Sequence, residues 1–137
     1  MVQACVAVRR PVVVFWGVAL VMGMFLLLTP AKARAFDLDG SLKACEAYKL
    51  PEQVDQRLAC LNNCIDSLRS FVASQQGAYG PGTTACGVRC VDTFKIDVNA
   101  CIDKAKGGAS EAEADACIGS AADRAEACTG ACGYPED

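Results

Sequence analysis

The sequence predicts a small all-α protein in which disulfide bonds staple antiparallel helical hairpins of three to four helices, after an N-terminal hydrophobic segment. Its 137 residues include ten cysteines, and apolar residues recur at helical steps of three and four. Six of the cysteines form three pairs whose positions each sum to 218: Cys86 with Cys132, Cys90 with Cys128, and Cys101 with Cys117. Two antiparallel helices that turn between Lys106 and Ser110 would bring all three pairs face to face.

The first 35 residues have the order of an export signal. Two arginines precede an unbroken apolar run at 12–28, and small residues follow near its end. We place the cleavage between Ala35 and Phe36, with the segment Ala31, Lys32, Ala33 as an alternative site. The apolar run has 17 residues, near the lower limit of about 17 for a spanning helix. The alternative is therefore an uncleaved anchor that holds the domain outside the cytoplasm.

Cleavage would leave residues 36–137 as one cysteine-rich helical domain. This part contains nine cysteines in 102 residues, which indicates an oxidising compartment, periplasmic or extracellular. It carries nine basic and 16 acidic residues, a formal charge of −7. Such an acidic protein is not expected to bind nucleic acid, and it would meet a membrane only through an uncleaved leader.

Two helices are predicted in the first half of this domain. Ser41 caps a short helix at about 42–49, and Pro51 starts the next one. In the second helix six apolar residues alternate steps of four and three, the spacing of a packed seam: Val54, Leu58, Leu61, Ile65, Leu68 and Val72. We expect this helix to end near Ser74, because the glycine-rich stretch 76–84 predicts a flexible connection.

Two further helices are predicted in the second half. The third spans about 84–106 and ends at two glycines, and Ser110 with Glu113 forms a capping box for the fourth. Nine alanines lie between positions 109 and 131, so the fourth helix has little apolar area to bury. Small side chains permit the Cα separations of about 4.4 to 6.8 Å that disulfide bonds require. We therefore expect disulfide bonds to hold the fourth helix.

A second set of cysteine pairs, or register, is also symmetric about a turn and is an alternative to the pairs that sum to 218. Cys60 with Cys90 and Cys64 with Cys86 each sum to 150, which would bridge the CxxxC motifs of the second and third helices. The segments CLNNC and CGVRC resemble the twin-CxxxC and coiled-coil-helix hairpins of mitochondrial intermembrane-space proteins, over about 30 residues. We favour the pairs that sum to 218, because the two cysteines of a rival pair, such as Cys64 and Cys86, lie at unequal distances from the glycine-rich connection.

Within residues 36–137, three cysteines remain in the favoured register. The short connection around Pro51 makes Cys45 with Cys60 the nearer pair, which leaves Cys64 as a free thiol. An unpaired cysteine in an exported protein suggests a disulfide-linked dimer, a redox-active thiol or a metal ligand.

The CxxxC motifs also allow a metal-binding interpretation. Cysteines at i and i+4 share a helical face and can chelate a soft ion such as Cu(I). The pattern is similar to that of exported copper-storage four-helix bundles, in which the matching positions would be Cys60, Cys64, Cys86, Cys90, Cys128 and Cys132. Residues 36–137 contain no Met and no His, and the antiparallel cysteine pairing is not required for metal storage. These two observations favour disulfide bonds.

No set of residues in the sequence predicts catalysis. The chain has no CxxC motif and no His, so it offers neither the usual redox pair nor a His-activated nucleophile. We predict a non-enzymatic scaffold or accessory protein without a cofactor, which binds another exported or envelope protein. The alternative function is Cu(I) binding or storage.

Overall fold

A computed structural model of the chain describes residues 38–134. Within this range the chain forms four α-helices and no strand: α1 (Leu38–Cys45), α2 (Val54–Ser74), α3 (Gln76–Lys106) and α4 (Glu111–Ala131). The predicted all-α fold class is therefore confirmed. The predicted export signal at 1–35 lies outside the described residues. Among the four helices, none combines the length and the hydropathy that a transmembrane span requires.

The first two helices begin at other residues than the sequence pattern predicts. α1 starts at Leu38, and Ser41 lies inside it and is buried, so this serine does not cap the helix. Leu38, Ser41 and Cys45 are spaced by three and four residues and are all buried, which explains why the helix includes them. Pro51 belongs to a turn, and α2 begins three residues later at Val54.

The glycine-rich stretch is helical on both sides of one sharp break, which corrects the expectation of a flexible connection. α3 begins at Gln76 and is interrupted at Gly80, whose φ of 82° and ψ of 166° are far from helical values. Only glycine adopts this conformation readily, because it has no Cβ. Pro81 follows, and its fixed φ is compatible with the first turn of the longer helical segment.

α2 and α3 form an antiparallel hairpin whose register is marked by three ion pairs. Asp66 pairs with Lys95 at 2.7 Å, and Arg69 pairs with Asp92 at 2.7 Å. The third pair joins Lys106 Nζ to an Asp55 carboxylate oxygen at 3.6 Å. In every pair the two positions sum to 161, so the hairpin turns at Gly80 and Pro81.

The core lies between α2, α3 and α4. Its largest fully buried apolar side chains come from α2 and α3: Leu61, Ile65, Val91, Phe94, Val98 and Ile102. α4 contributes mainly small residues to the core, namely Ala114, Ile118, Ala121 and Ala125. Because alanine buries little apolar area, packing alone holds α4 weakly, and the disulfide bonds to α3 supply the remaining constraint.

The connection between α3 and α4 follows the sequence prediction. Gly108, with a φ of 103°, lies in the turn between the two helices. At the start of α4 the Ser110 side chain accepts a hydrogen bond from the Glu113 backbone N–H, and the Glu113 carboxylate accepts from the Ser110 N–H. The predicted capping box is thus confirmed.

Candidate functional site

The disulfide bonds join the helices at four positions. Cys86–Cys132, Cys90–Cys128 and Cys101–Cys117 connect α3 to α4, and Cys45–Cys60 connects α1 to α2. These are the partners that the favoured register predicts, and neither rival pair that sums to 150 is formed. The Cα atoms of each pair lie 5.7 Å apart. For the three bonds to α4, the small neighbouring side chains of that helix permit this approach. Four disulfide bonds indicate an oxidising, extracytoplasmic environment.

Cys64 corrects one expectation, because it is disulfide-bonded and is not a free thiol. Its side chain is fully buried in α2, and its Sγ lies 3.9 Å from the Sγ of Cys45. The Sγ atoms of Cys45, Cys60 and Cys64 all lie within 4.8 Å of one another. This sulfur cluster lies where α1 packs against α2.

A second sulfur cluster lies between α3 and α4. The Sγ atoms of Cys86, Cys90 and Cys132 are mutually within 4.8 Å. The distance between Cys90 Sγ and Cys132 Sγ, which belong to two different disulfide bonds, is only 3.6 Å. Cys90 is 3% exposed, whereas its partner Cys128 is exposed to solvent. We call Cys86, Cys90, Cys128 and Cys132 the sulfur stack.

The two clusters separate the six cysteines of the metal-binding interpretation. Cys60 and Cys64 lie with Cys45, and the other four form the sulfur stack. A metal such as Cu(I) is bound by thiolates, and in these clusters the sulfurs are consumed by disulfide bonds. The residues therefore fit a soft metal only after reduction.

A cleft opens between α1, α2 and α4, with a volume of about 340 Å³. Its apolar floor is formed by side chains from all three helices: Leu38, Leu42, Leu61, Ile118 and Ala122. Four carboxylates and two basic side chains complete the lining: Glu46, Asp115, Asp123, Glu126, Lys43 and Arg57. Gly119 leaves part of one wall without a side chain.

Arg57 is the buried charge at this cleft. Its side chain is only 3% exposed, and it pairs with Asp115 through Nη2 and with Glu111 through Nη1 at 3.4 Å. Lys49 also reaches Glu111, at 3.5 Å. Two carboxylates of α4 thus compensate the guanidinium of α2, and the remaining lining carboxylates give the rim of the cleft an acidic character.

The sequence analysis missed both Arg57 and the cleft. Arg57 lies four residues before Leu61 and seven before Cys64, so it shares the buried face of α2. An arginine on the buried face of a helix indicates an ion pair with a neighbouring helix. The cleft has no such signal, because it depends on how three helices that are distant in sequence meet.

Comparison of the chain with protein-family models, with curated proteins and with solved structures finds no match. The fold and the cysteine geometry define the class: a disulfide-stapled, all-α protein with two linked helical hairpins.

Proposed function

We propose that the protein is an exported, non-enzymatic scaffold that binds another exported or envelope protein through the cleft between α1, α2 and α4. The observation that carries this proposal is the acidic rim around an apolar floor. The cleft contains two lining carboxylates on one face of α4, Asp123 and Glu126, and a third on the α1 side, Glu46. No ion pair engages these three carboxylates among residues 38–134.

The disulfide bonds support a binding role because they preorganise the walls. α1 is tied to α2 by Cys45–Cys60, and α4 is tied to α3 by three bonds. Arg57 then joins α2 directly to α4. A cleft whose walls are already ordered loses little conformational entropy when a partner binds.

Charge complementarity indicates the partner's chemistry. An apolar side chain flanked by lysine or arginine would fill the floor and place positive charge against the rim. A cleft of about 340 Å³ accommodates one or two such side chains, so we expect a short anchoring segment within a larger partner. Exposed charges also make the association faster at low salt.

Gly119 offers a direct test of this proposal. A Cβ built there meets no atom within 4 Å, so a leucine has room to extend into the cleft, and we expect Gly119→Leu to obstruct the cleft while α4 stays folded. Its neighbour Ser120 is exposed and does not line the cleft, so Ser120→Leu is the matched control. A photo-reactive phenylalanine at Asp123, introduced in the native host, should form a discrete product with one envelope protein. The same group at exposed Ile96 should not.

Gly119→Leu should abolish that product and Ser120→Leu should keep it. Equal products from positions 123 and 96, or insensitivity to Gly119→Leu, would rule out the cleft as the binding surface. Export is tested in the same host by the intact mass, which should correspond to a chain that starts at Phe36.

A second function, soft-metal binding, is supported by the grouping of three Sγ atoms within 4.8 Å in each sulfur cluster. It requires that the clusters are reduced in the cell. Alkylation of freshly isolated protein without reductant measures this: labelling of most cysteines, followed by uptake of Cu(I) by the unalkylated protein, would favour metal binding. Protein that remains unlabelled favours the scaffold.

A further inference from the structure

We infer that the two disulfide bonds of the sulfur stack react together with an external dithiol. The stack accepts two electrons, and the one disulfide bond that remains in it then joins Cys90 to Cys132. The inference is independent of the proposed binding function. It rests on the position of two disulfide bonds one helical turn apart, Cys86–Cys132 and Cys90–Cys128. Because α3 and α4 are antiparallel, Cys90 and Cys132 are the diagonal partners.

The distance between the diagonal sulfurs makes exchange possible. Cys90 Sγ and Cys132 Sγ are 3.6 Å apart, and a new bond would require them to approach to about 2.04 Å. Thiol–disulfide exchange proceeds by attack of a thiolate on a neighbouring disulfide sulfur. The Cys101–Cys117 bond lies 11 residues further along α3 than Cys90, about 16 Å away at 1.5 Å per residue. Among residues 38–134 it belongs to neither group of three neighbouring cysteine sulfurs.

Exposure determines where an external thiol enters. Cys90 is 3% exposed and is shielded from direct attack. Cys86 and Cys132 are half-buried, and Cys128 is exposed. An incoming dithiol therefore reaches Cys128 most readily and Cys86 or Cys132 less readily, whereas Cys90 reacts only with the neighbouring sulfurs of the stack.

The exchange is balanced in three steps. A thiolate of the dithiol attacks Cys86 Sγ, forming a mixed disulfide and releasing Cys132 as a thiolate. The Cys132 thiolate attacks Cys90 Sγ, which forms the Cys90–Cys132 bond and releases Cys128 as a thiolate into solvent. The second thiolate of the reagent resolves the mixed disulfide, so Cys86 leaves as a thiolate and the dithiol becomes a disulfide.

The net result is the oxidation of one dithiol and the reduction of one of the two bonds in the stack. The two protons of the dithiol are transferred, through solvent, to Cys86 and Cys128. Entry at Cys128 leads to the same product, because the released Cys90 thiolate then attacks Cys132 and displaces Cys86. α3 and α4 would remain joined by Cys90–Cys132 and Cys101–Cys117, so the protein takes up two electrons without opening its hairpin.

The test is limited reduction of the native protein with one equivalent of dithiothreitol, followed by an acid quench, alkylation with N-ethylmaleimide and disulfide mapping of proteolytic fragments. We expect alkylated Cys86 and Cys128 together with a bond between Cys90 and Cys132. Alkylation of a native pair, either Cys86 with Cys132 or Cys90 with Cys128, would show simple reduction and overturn the inference. First reaction at Cys101 and Cys117 would also overturn it.

Two double variants test the diagonal contact separately. Cys86→Ala/Cys128→Ala retains the diagonal pair and should form the Cys90–Cys132 bond while keeping its helical circular dichroism spectrum. Cys90→Ala/Cys132→Ala retains the outer sulfurs, and should bridge them much more slowly. Equal rates of bond formation in the two variants, or no bond in the first, would contradict the inference.

Discussion

Lys95 on α3 donates to the Asp66 carboxylate on α2 at 2.7 Å, and this pair marks the register of the first long hairpin. Arg69 with Asp92 and Lys106 with Asp55 repeat the same positional sum of 161. In that register Cys60 and Cys64 lie level with positions 101 and 97, not with the CxxxC motif at 86–90. The offset of 11 residues explains why neither cysteine pair that sums to 150 forms, and Cys101, which lies level with Cys60, is bonded to Cys117 instead.

The turn of this hairpin depends on Gly80. Its φ of 82° and ψ of 166° belong to a region that is almost restricted to glycine. We expect Gly80→Ala to lower the free energy of unfolding by about 1 to 3 kcal/mol through backbone strain. Gly82 is the matched control, because neither position has an atom within 4 Å of an added Cβ and only Gly80 has a positive φ. Urea denaturation without reductant measures both, and an equal effect of the two alanines would contradict the strain argument.

Gly87 allows Tyr134, which follows α4, to pack against α3. A Cβ at position 87 would lie 2.7 Å from Tyr134 Cε2 and 2.9 Å from Val72 Cγ1. Gly87→Ala should destabilise the protein by about 1 to 3 kcal/mol through overpacking. Gly119→Ala, where the added Cβ has open space, should not destabilise it. If the thermal unfolding midpoints of the two variants coincide, overpacking at position 87 does not lower the stability of the protein.

Arg57 and Asp115 connect α2 to α4 through a largely buried guanidinium. Asp115→Asn removes one of the two negative charges that compensate the guanidinium, and we expect a loss of about 1 to 3 kcal/mol, because a charge-assisted hydrogen bond becomes at best a bond to a neutral amide oxygen. Arg57→Met removes the buried charge itself and should cost less, because the two carboxylates that remain are 33% and 39% exposed and can be hydrated. Chemical denaturation of both variants tests this order.

An exposed ion pair provides the control for that prediction. Arg69 and Asp92 are each about half exposed, so Asp92→Asn should change stability by no more than about 1 kcal/mol. A larger effect at Asp92 than at Asp115 would show that burial of Arg57 does not strengthen its pair.

The capping box makes α4 sensitive to acid. Hydrogen bonds from the backbone and side chain of Ser110 lower the pKa of Glu113 below its ordinary value of 4.5. A carboxylate with a lowered folded-state pKa stabilises the fold above its unfolded pKa, and this contribution disappears as the pH falls through the folded-state pKa. Ser110→Ala should cost about 1 kcal/mol at neutral pH, and its difference from the original protein should shrink below pH 4.5. A difference that is independent of pH would contradict the role of Glu113.

Much of the fold was readable in local patterns. The alternation of Leu61, Ile65 and Leu68 indicated α2, and the Ser110 capping box indicated the start of α4, because both signals act within one helix. The glycine-rich stretch was misread, because glycine content alone does not distinguish a flexible loop from a single break at Gly80. Arg57 was overlooked although its spacing places it on the buried face of α2.

The helical class and the pairing of α3 with α4 follow from local patterns in the chain, because helical periodicity and symmetric cysteine spacing do not depend on how the packed helices are rotated. The register of α2 on α3, the cleft beside Arg57 and the contact between Cys90 and Cys132 become visible only in the folded protein. These features depend on one backbone torsion at Gly80 and on the relative rotation of packed helices. Contacts between residues far apart in the chain determine the torsion at Gly80 and the rotation of the helices. A local sequence pattern does not predict such contacts.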